Sequence, residues 1–272
     1  MADSRVLKGK VVVVTGGTGV LGYSMNKALA AAGAAVVILG RNSDTAASRA
    51  KEINDEGGTA IGISSDVLSE EQLISARKKI IDRFGKIDGL VNAAGGNMPG
   101  AVVQPEDNLF SLDMSALQQV LHLNLFGTLL PVQVFGKAIA ETSNAGAIVN
   151  ISSVTAKTVL TKVLGYSLAK SAIEGYTRWF GVELAKRHQG KIRMNAIVPG
   201  FFLTEQNRSL LTNGDGTYTK RGTDVINNTP LGRFGEPTEL NDALTWLLSE
   251  QSSFVLGSTV VIDGGFTVFG GV

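Results

Sequence analysis

Ser153, Tyr166 and Lys170 stand in the run S-S-V-T-A-K-T-V-L-T-K-V-L-G-Y-S-L-A-K, the tyrosine thirteen positions after the serine and the lysine four after the tyrosine. Residues four apart share a helix face, so the Lys170 ammonium can sit below the Tyr166 ring. A free phenol, with a pKa of about 10, relays protons poorly at neutral pH, and a neighbouring cation favours its ionised form. Such a trio suits proton transfer at a carbonyl or alcohol oxygen, a chemistry whose other half is usually a hydride. Y-x-x-x-K alone is commonplace and is mostly a pair of exposed helix neighbours. Ser153 at this upstream distance, just after a strand, makes the pattern specific; Ser152 is adjacent, but the spacing selects Ser153.

The expected partner of that chemistry is signalled at Thr15 to Gly22, T-G-G-T-G-V-L-G, directly after one predicted strand and opening a helix. Gly17, Gly19 and Gly22 satisfy G-x-G-x-x-G, which permits a tight turn, close backbone approach to a pyrophosphate and helix–strand contact. The helix N-terminus favours the phosphates. The bland reading is a glycine-rich turn needed only for packing.

The elements that must position these residues alternate. Short β-branched runs are predicted as strands at 10–15, 35–39, 59–63, 87–91, 147–151, 192–197 and 259–262. Helical patterns fill the gaps at 20–32, 45–56, 70–84, 109–141, 165–187 and 238–248. Ser69-x-x-Gln72 reads as a capping box, and Pro237 suits the first turn of the last helix. Right-handed crossovers then give an α/β, Rossmann-like, doubly wound parallel sheet of order 3-2-1-4-5-6-7. No linker, low-complexity tract or repeat interrupts the chain, so residues 1–272 are expected to form one domain. The polar stretch 203–230, with N-G-D-G at 213–216, has the length of a functional lid or of a disordered segment.

Composition narrows the class. Of 272 residues 44% are hydrophobic and 33 are glycine, which fits a helix-covered parallel sheet with many tight turns. Lys and Arg number 25 against 24 Asp and Glu, leaving +1, so neither nucleic acid nor an anionic membrane is an expected partner. The absence of cysteine excludes disulfides and thiolate chemistry. His122 and His188 stand apart, so no metal site is expected. Val11–Val14 is too short to span a bilayer and no other stretch reaches about 20 uncharged apolar residues. With no apolar signal core before the first strand, a cytoplasmic location is expected.

These residues together resemble the short-chain dehydrogenase/reductase family over essentially the whole chain. The resemblance rests on T-G-G-T-G-V-L-G, Asp66-Val67, N-A-A-G at 92–95, Asn124, Ser153, Tyr166, Lys170 and Pro199-Gly200. One departure stands out: compact members carry T-G-x3-G-x-G, with glycine where this chain has Val20. The spacing here is associated with longer members that add a C-terminal domain, for which this chain is too short.

The resemblance implies that Tyr166 exchanges the proton, Ser153 hydrogen-bonds the same oxygen, and Lys170 lowers the phenol pKa and binds the nicotinamide ribose. Asn124 would position a water leading from the lysine toward solvent; its alternative is a satisfied helix kink. His122 is expected to pack or cap. Gly16, Thr18, Gly19, Val20, Leu21 and Gly22 would cradle the cofactor; Asp66 and Val67 would flank adenine; Asn92, Ala93, Ala94 and Gly95 would line the ribose and nicotinamide path. Pro199, Gly200, Phe202 and Thr204 would approach the carboxamide. For Asn92 and for Pro199-Gly200 a plain strand-end turn or terminator remains the alternative. Gly40 and Arg41 follow the second strand where an NAD site typically places an acid, so NADP(H) is favoured within an NAD(P)(H) assignment.

The segments 201–222, G-G-N-M-P at 95–99 and V-L-T-K at 159–162 are similar to the D-mannonate oxidoreductase (D-fructuronate reductase) group. That implies a keto sugar acid as substrate, with Asn97, Ser153, Lys162, Gln206, Asn207, Arg208 and Arg221 as candidates to read its hydroxyls and carboxylate. Reduction of a 5-ketogluconate-type sugar or of 3-oxoacyl carriers is the alternative, and a non-catalytic cofactor-binding scaffold a third. Apolar surface on the helices 109–141 and 165–187 suggests a homotetramer, with F-T-V-F-G-G-V at 266–272 reaching a neighbour.

Overall fold

The computed structural model describes residues 5–271, apart from the side chains of Glu205 and Gln206. Seven strands, β1 (Val11–Thr15), β2 (Ala35–Gly40), β3 (Thr59–Ser64), β4 (Gly89–Asn92), β5 (Gly146–Ile151), β6 (Ile192–Pro199) and β7 (Thr259–Ile262), form one sheet. Its order is β3-β2-β1-β4-β5-β6-β7 and every pairing is parallel, as expected. Successive strand residues point to opposite faces, so each strand feeds two cores. Val12, Val14, Val36 and Ile38 pack with Met25 and Leu29 of α1 (Val20–Ala31) and Leu244 and Leu247 of α10 (Asn241–Leu248). Val11, Val13, Val37 and Leu39 pack on the other face with Leu73 and Ile80 of α3 (Glu70–Phe84) and with Phe135 and Ile139. Winding reverses between β1 and β4, which opens a crevice at the strand C-termini, where parallel sheets bind ligands.

Several element boundaries differ from expectation. Helix α2 (Ser43–Asp55) starts two residues early because Asn42 Oδ1 accepts from Thr45 N at 2.8 Å. Ser69 Oγ accepts from Gln72 N at 3.4 Å, but the expected box is only half made: Gln72 Oε1 accepts from Asp66 N instead. Residues 109–113 are not helical. Leu109 and Phe110 are exposed, and the Asp113 carboxylate caps Ser115 N and Ala116 N at 2.9 and 3.0 Å.

From Met114 the chain runs helically to Thr142 as α4 (Met114–Leu121), α5 (Gly127–Pro131) and α6 (Lys137–Thr142), joined by π-helical turns at His122–Phe126 and Val132–Gly136. Pro131, which cannot donate to the carbonyl four residues back, sits between the two turns. Contrary to expectation, this 29-residue rod is long and apolar enough to cross a bilayer by composition, yet 56% of its most apolar window is buried in the fold. The polar stretch 203–230 is not a bare loop. It holds α8 (Glu205–Leu211) and α9 (Lys220–Asn227), closed over Leu211, Val225 and Phe234. The last helix begins as a 3-10 turn at Pro237–Leu240, with Pro237 in its first turn.

Candidate active site

Helix α7 (Leu164–Arg187) presents Tyr166, Lys170, Glu174 and Thr177 along its inner face against the end of β5. Lys170 is buried, and its ammonium donates to the carbonyl of Ile151 at 2.8 Å. It lies 5.3 Å from the centre of the Tyr166 ring, so the two side chains converge as the spacing predicts. Ser153, two residues past β5 and the N-cap of the 3-10 turn Val154–Ala156, accepts from Thr155 N at 3.2 Å and reaches the Tyr166 hydroxyl. Ser152 bonds Lys170 O and Glu174 Oε1.

The electrostatics correct one expectation. Burial raises the Tyr166 pKa, offset only in part by the hydrogen bond with Ser153. Burial also pushes Lys170 down to about 8. The ammonium donates to a backbone carbonyl rather than to the phenol oxygen. The phenol is therefore proton-loaded at neutral pH.

A cleft of about 680 Å³ runs from this trio across the C-terminal ends of β1, β2 and β4. The N-terminus of α1 opens onto it, its Gly19 N-cap extended and carrying no side-chain cap. Gly16 adopts φ +65°, and a Cβ there would lie 2.7 Å from Ala94 N. A Cβ on Gly22 would collide with the Gly16 carbonyl oxygen and lie 2.9 Å from Gly17 Cα. Val20, the departure from the compact pattern, is exposed at the rim, and Gly19 would meet only Gly16 O, at 3.4 Å. The turn thus depends on Gly16 and Gly22, and bare amide groups at a helix N-terminus fit a pyrophosphate. At the far end Gly40 has no room for a side chain, because Thr18 Cγ2 and Oγ1 lie 2.5 Å from where its Cβ would be; Arg41 is exposed beside it.

Of the expected cofactor residues, Gly16, Thr18, Gly19, Val20, Leu21, Gly22, Arg41, Asp66, Val67, Ala93, Ala94, Gly95, Tyr166, Lys170, Pro199, Gly200, Phe202 and Thr204 line this cleft. Asn92 does not. It is buried in β4 and donates to Asn150 Oδ1 at 2.9 Å, and Asn150 Nδ2 in turn donates to Thr177 Oγ1 at 2.9 Å. Asn124 is also buried outside the cleft. Its amide donates to Gly96 O and Val120 O, and its Oδ1 accepts from Gly96 N at 3.0 Å. Its side chain therefore holds the loop after β4 over Lys170, whose Nζ would be 3.5 Å from a Gly95 Cβ.

The substrate candidates scatter. Asn207 lines the cleft, but its side chain caps α8 through Thr204 N and Phe202 O. Lys162, at φ +76°, turns its ammonium to Gln104 Oε1 at 3.4 Å, and Arg208 borders a separate hollow of the 203–236 region. Neither it nor Asn97 nor Arg221 lines the cleft, and the side chain of Gln206 lies outside the described residues. The cleft also gains Met98, Gln119 and His122, whose ring packs against Phe126 with centroids 5.3 Å apart. Gln119 on α4 and His122 just after it fall one turn apart, a period legible in sequence once that helix is known to face the site.

A family model described as enoyl-(acyl carrier protein) reductase matches residues 15–267. The uncharacterized oxidoreductase UxuB of Bacillus subtilis is 42% identical over 275 residues, covering 98% of each chain. The structure of a provisionally assigned D-mannonate oxidoreductase from Haemophilus influenzae with bound NAD superposes with a TM-score of 0.90 at 42% identity, covering 98% of both chains. A gluconate 5-dehydrogenase from Burkholderia cenocepacia, in complex with NADP and tartrate, gives 0.85 at 31%, again over 98% of both. With this fold, this cleft and these relatives, the chain belongs to the short-chain dehydrogenase/reductase family and is an NAD(P)-dependent oxidoreductase.

Proposed function

We propose that this oxidoreductase interconverts a keto sugar acid and its alcohol, with D-fructuronate and D-mannonate as the pair. The observation that carries the chemistry is the meeting of Ser153, Tyr166 and Lys170 at one end of the glycine-lined cleft. A nicotinamide dinucleotide held in the cleft would supply or accept the hydride. Tyr166, proton-loaded at neutral pH, donates its hydroxyl proton to the carbonyl oxygen and takes one back in oxidation. Ser153 donates a hydrogen bond to the same oxygen as charge develops there. Lys170, with a pKa of about 8, is charged in most molecules at pH 7 and stabilises the phenolate left behind. Gly16, the amide groups opening α1, and Gly22 would hold the dinucleotide, and Asn124 fixes the Gly96 backbone in the loop that lines the cleft.

The sugar-acid reading draws on the Haemophilus influenzae and Burkholderia cenocepacia structures and on the polar 203–230 segment, which we read as a lid within one domain. NADP(H) is the preferred cofactor in this reading, because no acid ends β2 and Arg41 lines the cleft, although the Haemophilus influenzae protein carries NAD. The exposed stripe of Leu164, Leu168, Trp179 and Val182 on α7 supports self-association into a tetramer, checked by light scattering at micromolar concentration. Steady-state assays should cross NADH and NADPH with D-fructuronate, 5-ketogluconate and an acyl carrier thioester, on wild type and on Tyr166→Phe. Turnover of D-fructuronate that falls about 10²- to 10⁴-fold in the variant is expected. Preference for the thioester would overturn the substrate, and an unaffected variant would overturn the mechanism.

A further inference from the structure

We infer that Glu174 is the positioning residue for Ser153, acting through both oxygens of one buried carboxylate; this rests on the catalytic role proposed for Ser153. Glu174 lies one helical turn beyond Lys170 and two beyond Tyr166, and it is only 4% exposed. Its Oε1 accepts from Ser152 Oγ at 3.2 Å, the residue immediately before Ser153. Its Oε2 accepts from Lys157 Nζ at 2.6 Å, immediately after the 3-10 turn Val154–Ala156 that Ser153 caps. The carboxylate therefore holds the chain on both sides of the serine. The same Lys157 ammonium donates to Thr259 Oγ1 at 3.2 Å on β7, and Arg178 approaches Oε2 at 3.8 Å.

This clamp adds to the backbone bond from Ser152 N to Ile197 O, at 2.8 Å, and to the contact of Tyr166 with Ser153. The Ser153 hydroxyl accepts from Thr155 N within the same turn, so that bond travels with the turn rather than anchoring it. Ser152 Oγ also bonds Lys170 O, at a longer 3.4 Å. Glu174 thus ties the segment bearing the serine to the helix bearing the tyrosine and lysine. Reacting groups must hold their separation to a fraction of an ångström, since misplacement by about 1 Å costs about 10²-fold in rate.

Glu174→Gln keeps an oxygen for Ser152 and loses the charge that binds Lys157. Its kcat for D-fructuronate reduction should fall about ten- to a hundredfold, with NADPH affinity by fluorescence titration unchanged. In a Ser153→Ala background the same substitution should change kcat less than twofold, because the misplaced group is already gone. A multiplied loss there would overturn the inference. Lys157→Met with Glu174→Met removes both charges of the pair, which is often neutral for stability. Its melting temperature should stay near that of wild type while kcat remains low; recovered turnover would mean that only stability was at stake. A crystal structure of Glu174→Gln provides a readout without any substrate: Ser153 Oγ should move away from Tyr166 Oη while Tyr166 and Lys170 stay in place, and an unmoved serine would refute the clamp. Wild-type turnover in Ser153→Ala would instead remove the proposed mechanism, leaving the crystallographic result to judge the clamp by itself.

Discussion

Lys170→Met measures what burial of the lysine costs the fold. Lys170 is 4% exposed, and its pKa falls from 10.5 to about 8. The sign follows from proton counts. Between those values the unfolded chain holds the proton and the folded chain does not, so stability rises with pH across that window. Below pH 8 the penalty is fully present. Each pKa unit corresponds to about 1.4 kcal/mol, so burying the ammonium costs about 3 kcal/mol at pH 7 and under about 1 kcal/mol at pH 10. Methionine keeps most of the volume without the charge, though it leaves the Ile151 carbonyl without its 2.8 Å partner, at about 1–3 kcal/mol. That loss is independent of pH. Urea unfolding of both proteins at pH 7 and pH 10 should therefore show wild type gaining roughly 2–3 kcal/mol relative to the variant on going to pH 10. Other titrating groups are common to both and cancel. A stability difference that stays the same at the two pH values would refute the buried, destabilised ammonium, whatever happens to activity.

Gly22→Ala places a methyl against the Gly16 carbonyl oxygen and 2.9 Å from Gly17 Cα, both backbone, and should cost about 1–3 kcal/mol by urea unfolding and weaken NADPH binding. Gly19→Ala, 3.4 Å from its nearest neighbour, should unfold close to wild type; equal losses would refute the steric account of the cradle. Asn124→Ala strips partners from Gly96 N–H, Gly96 C=O and Val120 C=O and should lower stability by about 2 kcal/mol or more, and an unchanged unfolding midpoint would show that the loop needs no such tie. Arg41→Ala should raise the KM for NADPH about ten- to a hundredfold and leave that for NADH near its wild-type value, as expected for a lost charge-assisted bond to a phosphate. Parallel changes for the two cofactors would count against a phosphate-reading role.

The short period of the local signals explains what was readable before any folding. Val11–Val14 and Ala35–Leu39 are β-branched or aliphatic at every position, as suits strands covered on both faces, and their alternation with helical patterns implies a parallel sheet. The glycines at 16 and 22 and the four-residue step from Tyr166 to Lys170 follow from turn and helix geometry, so they need no distant partner to be recognised. Other features depend on neighbours far along the chain. The phenol's pKa rises because elements from across the chain exclude water around it, among them α4, whose Ala116 and Val120 pack beside Tyr166. Asn92 has the composition of a turn, yet the register of β4 against β5 sets it opposite Asn150 and inside the sheet. Lys162 and Arg208 carry the charge a sugar acid calls for, but backbone conformation and helix placement direct them elsewhere. Glu174 reads as one more polar residue on a helix until β5 brings Ser152 to one of its oxygens and the turn after Ser153 brings Lys157 to the other. Periodicity and turn chemistry act over a few residues and are written in the order of the amino acids. Desolvation and the convergence of strand ends are properties of the assembled sheet, and only the tertiary structure could decide them.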